Sequence, residues 1–207
     1  SKQRGDSMGK VMIINASPRA PKSNSKQYAQ LFSEYCRLDT EYCEVKKSNH
    51  LTLCQMIENY SDIVFVFPLY ADSIPVTFLN FLKALEENVP LKKPTISVVI
   101  NCGFIEPYQN DIAVKMLQLF AKKNGYPFGS VLKIGSGEAI LTTPFRIFLK
   151  ARMKKFAISI EKQKYNNFQV TMPISKKMFI KASTAYWTNY GKKNGISKEQ
   201  MEIMEIE

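Results

Sequence analysis

The sequence predicts an α/β chain: a doubly wound, five-stranded parallel sheet with helices on both faces and an extra C-terminal helical segment. Three observations predict it. Short β-branched, apolar runs alternate with longer amphipathic ones through the first two-thirds of the chain. Those short runs are apolar throughout rather than alternating, as strands buried under two helical layers must be. The chain has 207 residues, 45% hydrophobic and 23% charged, which suits one domain with a sizeable core and argues against disorder.

Residues 10–16, KVMIINA, read as the first buried strand. Residues 23–36 read as a helix with Tyr28, Leu31, Phe32 and Tyr35 on one face. A weaker strand at 41–46 and a short helix at 51–60 follow. DIVFVF at 62–67 is a strand apolar on both faces, and 75–87 is a helix opened by Pro75, which a first turn tolerates. TISVVIN at 95–101 is another buried strand. Residues 105–124 contain a helix that stops at Asn124-Gly125. Residues 130–134 make the fifth strand and lead into Gly135-Ser136-Gly137. Beyond it, 146–165 form a basic amphipathic helix with Leu149, Met153, Phe156 and Ile160 on one face. A second helix at 176–193 aligns Phe179, Ala182, Tyr186 and Tyr190 and ends at Gly195. The expected fate of that aromatic stripe, Trp187 included, is the core. Residues 1–207 are read as a single domain, with 139–207 a helical extension packed on it and 1–7 a leader outside the fold, Met8 being a candidate start.

No apolar run approaches the ~20 residues that span a bilayer, and residues 1–14 do not make a signal peptide, so the expected compartment is the cytoplasm. Cys36, Cys43, Cys54 and Cys102 contain no C-x-x-C pair and are read as free thiols. No metal site is expected. His50 is the one histidine and lies in a polar turn. Chemistry built on several histidines is thereby excluded, and an enzyme of this composition would lean on a cofactor. The net charge of +11 is uneven: +3 over residues 1–138, +12 over 139–198 and −4 over 199–207. Such a basic block attracts phosphates, nucleic acid or anionic lipid, or is simply a solvated face.

In doubly wound sheets ligands bind beyond the carboxyl ends of the strands. The loop after the first strand carries Ser17, Ser23, Asn24 and Ser25, small donors around a helix N-terminus that suits a phosphate monoester; an ordinary capped turn is the bland reading. It matches neither a P-loop nor G-x-G-x-x-G. The loop after the third strand, 68–75, is stiffened by two prolines and holds Tyr70, against which a flat ring can lie. The loop after the fourth, 101–106, places Gly103 where close backbone approach is useful.

Taken in order, NASPR and SNS (Asn15 to Arg19, Ser23 to Ser25), FPLYADSIP (Phe67 to Pro75), NCGFIEPYQN (Asn101 to Asn110) and IGSG (Ile134 to Gly137) resemble the flavodoxin-like NAD(P)H-dependent FMN reductases and quinone reductases. The resemblance covers roughly residues 9–138, and Trp187 to Gly195 looks like the C-terminal helix of some bacterial members. It implies a flavodoxin-like fold and non-covalent FMN. Ser17, Arg19, Ser23, Asn24 and Ser25 would hold the phosphate. Pro68, Leu69, Tyr70, Ala71, Asp72 and Ser73 would lie along the ring, and Asn101, Cys102, Gly103, Phe104 and Glu106 would cover its other side. It further implies a ping-pong oxidoreductase using NAD(P)H as co-substrate and a small acceptor such as a quinone, flavin, azo or nitro compound, and a homodimer. No side chain need act as acid or base. Ala16 and Val76 depart from the family, where glycine is frequent at both positions. The alternatives are a flavodoxin-type electron carrier without NAD(P)H activity, against which the positive charge counts, and a basic nucleic-acid or membrane-surface binding module. Arg146, Lys150 and Arg152 are candidates, by charge only, for reading the NADPH phosphate.

Overall fold

The computed structural model describes residues 9–197 and Gln200; the leader expected at 1–7 lies outside them. The chain forms two compact units, one reaching Met172 and the other starting at Pro173.

The first unit contains strands β1 (Lys10–Asn15), β2 (Asp39–Glu44), β3 (Asp62–Pro68), β4 (Thr95–Asn101), β5 (Phe128–Ile134) and β6 (Asn167–Val170). They form one sheet in the order β2-β1-β3-β4-β5-β6, and every neighbouring pair is parallel. Its helices are α1 (Asn24–Tyr35), α2 (His50–Ile57), α3 (Val76–Glu87), α4 (Asp111–Asn124), α5 (Ala139–Thr142) and α6 (Arg146–Glu161). The first five strands run 2-1-3-4-5, the flavodoxin-like doubly wound order with its switch point between β1 and β3.

The strands divide the core by alternation. Met12, Ile14, Ile63, Phe65, Phe67, Ile96, Val98, Ile100 and Val131 share one buried cluster with α2, α3 and α4. Val11, Ile13, Val64, Val66, Val99 and Leu132 are also buried and point to the opposite face, where α1 and α6 pack. Phe32 and Phe156 meet there edge to face, with ring centroids 5.7 Å apart. The α6 residues expected to face the core, Leu149, Met153, Phe156 and Ile160, are all essentially fully buried.

Two expectations change. The sheet has six strands, not five. NFQV at 167–170 exposes Asn167 and Gln169 and buries only Val170, because an edge strand has one neighbour and needs no continuous apolar run. It pairs from Val131↔Asn167 to Ile134↔Val170, so α6 is the crossover between β5 and β6 rather than part of an extension. The second correction concerns α7 (Lys176–Lys193), the helix of the second unit. Its aromatic stripe does not enter a core: Phe179 is half-buried, and Tyr186, Trp187 and Tyr190 are 53%, 51% and 54% exposed. Among the described residues no helix is long and apolar enough to cross a membrane.

Candidate functional site

All six strands are parallel, so the loops after β1, β3, β4 and β5 open on one edge of the sheet. The loop after β1 is folded around Asn15, which is fully buried. Its Nδ2 lies 2.9 Å from Tyr42 Oη and 3.3 Å from both Ala20 O and Ser23 Oγ. Its Oδ1 accepts the Ser17 N–H at 3.0 Å. A 3-10 turn at Ala20–Lys22 follows, and Ser23 then caps α1 by accepting the Lys26 N–H at 3.2 Å. The cap leaves the N–H groups of Asn24 and Ser25 in the first helical turn, where no intrahelical acceptor exists. Arg19 and Lys22 are exposed on the same loop. This end of the site therefore carries backbone donors, a helix dipole and two cations, the features that bind an anion.

The loop after β3 is joined to β4 by the Leu69 N–H, which donates to Asn101 O at 2.7 Å. Its tip is a tight turn: Tyr70 and Ser73 exchange backbone hydrogen bonds of 2.9 and 3.0 Å across Ala71 and Asp72. Those two residues have φ of 45° and 57° without being glycine. A conformation that costs a β-carbon energy is held where the chain presents Tyr70 to solvent, 60% exposed.

The loop after β4 is locked to the turn after β5. Gly137 N–H donates to Cys102 O at 2.8 Å, Ser136 N–H donates to Phe104 O, and Cys102 N–H donates to Ile134 O at 3.0 Å. The Tyr28 hydroxyl donates to Gly137 O from α1. Burial, helped by nearby Cys102 and Glu138, pushes that phenol well above its usual value, so it stays a donor. Phe104 is 51% exposed. Gly103 beside it faces open space: a β-carbon there would meet nothing within 4 Å.

The predicted site residues thus separate into two groups. Arg19, Tyr70, Ala71, Asp72, Gly103 and Phe104 are exposed, and Ser23, Asn24, Pro68, Leu69, Ser73 and Glu106 are half-buried. Ser17, Ser25, Asn101 and Cys102 are buried and engaged with the protein itself. The Ser17 hydroxyl accepts the Arg19 N–H at 3.3 Å. Asn101 Nδ2 donates to Phe67 O at 3.2 Å and approaches Ser25 Oγ at 3.4 Å. The Cys102 thiol lies 3.7 Å from both Phe104 O and Glu106 O and accepts from Asn110 Nδ2 at 3.4 Å. Burial raises its pKa, so this thiol is a buried strut and not a nucleophile.

Sequence reasoning missed the contribution of β2. Tyr42 bridges Asn15 and Glu44 Oε1, to which its hydroxyl donates at 3.1 Å. Burial and Glu44 push its pKa up to about 12. A cleft of about 270 Å³ opens between the loops after β1 and β2, lined by Ser17, Pro21, Glu44, Lys46, Lys47 and Thr77 among others. The available signal was the strand order: placing β2 next to β1 sets the lysines after β2 beside the loop after β1. His50, by contrast, packs edge-on against Phe81 at 5.8 Å. Among the described residues no group of three or more His, Cys, Asp or Glu side chains stands ready for a metal.

No protein-family model matches the chain, and no curated protein matches it in sequence. Solved structures do. A flavodoxin from Streptococcus pneumonia TIGR4 aligns over 74% of this chain and 99% of its own, with 16% identity and a TM-score of 0.55. An NAD(P)H:quinone oxidoreductase from Methanothermobacter marburgensis aligns over 74% and 97%, with 14% identity and a TM-score of 0.53. The rubredoxin oxygen:oxidoreductase of Desulfovibrio gigas aligns over 74% of this chain at 14% identity and a TM-score of 0.58, but this chain spans only 35% of that protein's length. Likeness at such identity speaks for backbone architecture, and it agrees with the strand order: the chain has the flavodoxin-like fold.

Proposed function

We propose that the protein is an FMN-dependent oxidoreductase that takes a hydride from NAD(P)H and passes electrons to a small acceptor such as a quinone, flavin, azo or nitro compound. The observation that carries the reading is the uncovered backbone at Gly103, flanked by exposed Phe104 and one strand away from exposed Tyr70, on loops that hydrogen bonds hold in place. Planar aromatic ligands take such a surface, open backbone with aromatic walls.

The residues present fit FMN. Arg19, Lys22, Ser23 and the first-turn N–H groups of α1 supply the donors and positive field for its phosphate. Pro68 to Ser73 and Asn101 to Phe104 supply two loop edges for its ring. When bound, FMN supplies the capacity to accept a hydride and release electrons. The chain's own part is placement. The network of Asn15, Tyr42 and Ser23 sets the shape of the anion-binding loop. The locks from Gly137 and Ser136 to Cys102 and Phe104 keep the ring-side backbone rigid, which lowers the ordering cost of binding. None of the exposed site residues is a histidine or cysteine; apart from buried Cys102, the titratable side chains on the ring-side loops are Tyr70, Asp72 and Glu106. Lys46 and Lys47 at the cleft, and Arg146 and Lys150 at the start of α6, offer cations for a dinucleotide phosphate.

The test is a visible absorption spectrum of the purified protein supplied with FMN, before and after anaerobic addition of NADPH or NADH. The expected result is a bound flavin spectrum that bleaches with one or both nucleotides. A bound flavin that neither nucleotide bleaches converts the reading to an electron carrier. A protein that binds no FMN refutes the site.

A further inference from the structure

We infer that α7 is an interfacial helix that docks the protein on anionic phospholipid bilayers. This helix belongs to the second unit, and its docking is independent of the redox reading. From Pro173 to Ser197 the chain contains Lys176, Lys177, Lys181, Lys192 and Lys193 and no acidic residue; the glutamates at 199, 202, 205 and 207 lie outside the described residues. At about 100° of rotation per residue, Phe179, Ile180, Tyr186, Trp187 and Tyr190 share roughly a third of the helix circumference. Lys177, Lys181 and Lys192 lie on the opposite side, and Lys176 and Lys193 flank the apolar arc at its two ends.

Four of the arc's five residues are exposed. Ile180, Tyr186, Trp187 and Tyr190 are each more than half exposed. The three rings cluster together, with centroids 5.3 Å apart for Tyr186–Trp187, 5.9 Å for Trp187–Tyr190 and 6.5 Å for Tyr186–Tyr190. An exposed cluster of this kind marks an interaction surface.

Charge selects the occupant. A second copy would set Lys177, Lys181, Lys192 and Lys193 of one helix against the same side chains of the other, with no carboxylate in the sequence from Pro173 to Ser197. A nucleic-acid duplex, its bases paired and stacked, would be met by the lysines and would leave the arc of Ile180, Tyr186, Trp187 and Tyr190 wet. An anionic bilayer satisfies both faces at once. Tyrosine and tryptophan settle at headgroup depth with the aliphatic side chains below them, while lysine stems extend along the surface to reach lipid phosphates. In the first unit, α6 shows the same bias independently. It exposes Arg146, Lys150, Arg152, Lys154 and Lys155 beside Ile147 and Phe148, and its first acid is Glu161.

Trp187 is the one tryptophan of the chain and so reports directly on α7. The full chain is mixed with vesicles of phosphatidylcholine alone, or with about a third phosphatidylglycerol, and followed by flotation and tryptophan emission. The expected result is co-flotation and a blue shift with the anionic vesicles only, both reversed by salt. Replacing Lys177, Lys181 and Lys192 by alanine should lower the partition coefficient about fivefold for each lysine removed. The double variant Tyr186→Ser, Tyr190→Ser should lower it about tenfold or more. All these side chains are exposed, and circular dichroism verifies that the variants keep the fold. No flotation with anionic vesicles overturns the inference, and so does equal flotation with neutral ones or indifference to the lysine changes. A Trp187 blue shift that follows protein concentration without lipid would assign the surface to a second copy. Salt-sensitive binding to a random DNA duplex without vesicle binding would assign it to nucleic acid.

Discussion

Replacing Gly103 by alanine separates binding from folding. A β-carbon at this position meets nothing within 4 Å, and Gly103 is not among the residues with positive φ. The folded state therefore accepts alanine without strain, while the unfolded chain loses freedom. The expected change is a gain of about 0.4–1 kcal/mol, a rise of roughly 1–4 °C in Tm for a chain of this size. A flavin ring lying against this backbone would meet the new methyl group. Inserting a methyl into a packed contact costs about 1–3 kcal/mol, so Kd for FMN should rise roughly 5- to 150-fold. Gly137→Ala is the contrast. Its β-carbon would lie 2.9 Å from Asn101 Oδ1 and 3.1 Å from Cys102 O, within the lock that holds the loop, so about 1–3 kcal/mol of stability should be lost. The assay is a fluorescence titration of FMN alongside thermal melts of both variants. Unchanged FMN affinity in a stable Gly103→Ala protein would refute the placement of the ring against this backbone.

Three further outcomes are expected. Arg19→Ala and Lys22→Ala should each weaken FMN by several-fold and leave riboflavin, which lacks the phosphate, unaffected; equal losses for both flavins would move the phosphate elsewhere. Phe156→Ala removes a fully buried ring packed edge-on against Phe32 and should cost about 3–5 kcal/mol in urea unfolding; a loss below 1 kcal/mol would contradict the packing of α6 on α1. Asp62 is buried and accepts from Ser61 Oγ at 2.8 Å and Tyr165 Oη at 3.3 Å, and burial raises its pKa despite these bonds. A carboxyl that holds its proton more tightly when folded makes stability fall as pH rises above the ordinary aspartate range of about 4. Asp62→Asn should therefore raise Tm at neutral pH, with the gain shrinking as pH drops through that range; a gain that grows on acidification would reverse the assignment.

The strands at 10–16, 62–67 and 95–101 were legible because burial on both faces leaves an uninterrupted apolar run, a local property of the chain. The α6 face of Leu149, Met153, Phe156 and Ile160 was legible for the same reason, since a 3.6-residue period records which side meets the sheet. The loops after β1, β3 and β4 could be singled out as a candidate site because parallel strands put the loops at their carboxyl ends on one edge of the sheet. Asn167 to Val170 was not legible as a strand, because an edge position demands hydrogen bonds to β5 and little hydrophobicity, and hydrogen-bonding capacity is common to every sequence.

Only the tertiary structure decided which polar side chains face outward. Ser17, Ser25 and Cys102 look like ligand-binding groups in the sequence, and in the structure they are buried and accept hydrogen bonds from Arg19, Asn101 and Asn110 within the loops. Tyr42, 27 residues from Asn15, joins the site solely because β2 pairs with β1. The stripe of Phe179, Tyr186 and Tyr190 has the period of a core helix, and the sequence by itself determined that period. Whether protein or another medium covers it depends on what else the fold places there. Periodicity states which side chains share a side of a helix, while burial depends on the rest of the chain, and a local pattern carries no record of that.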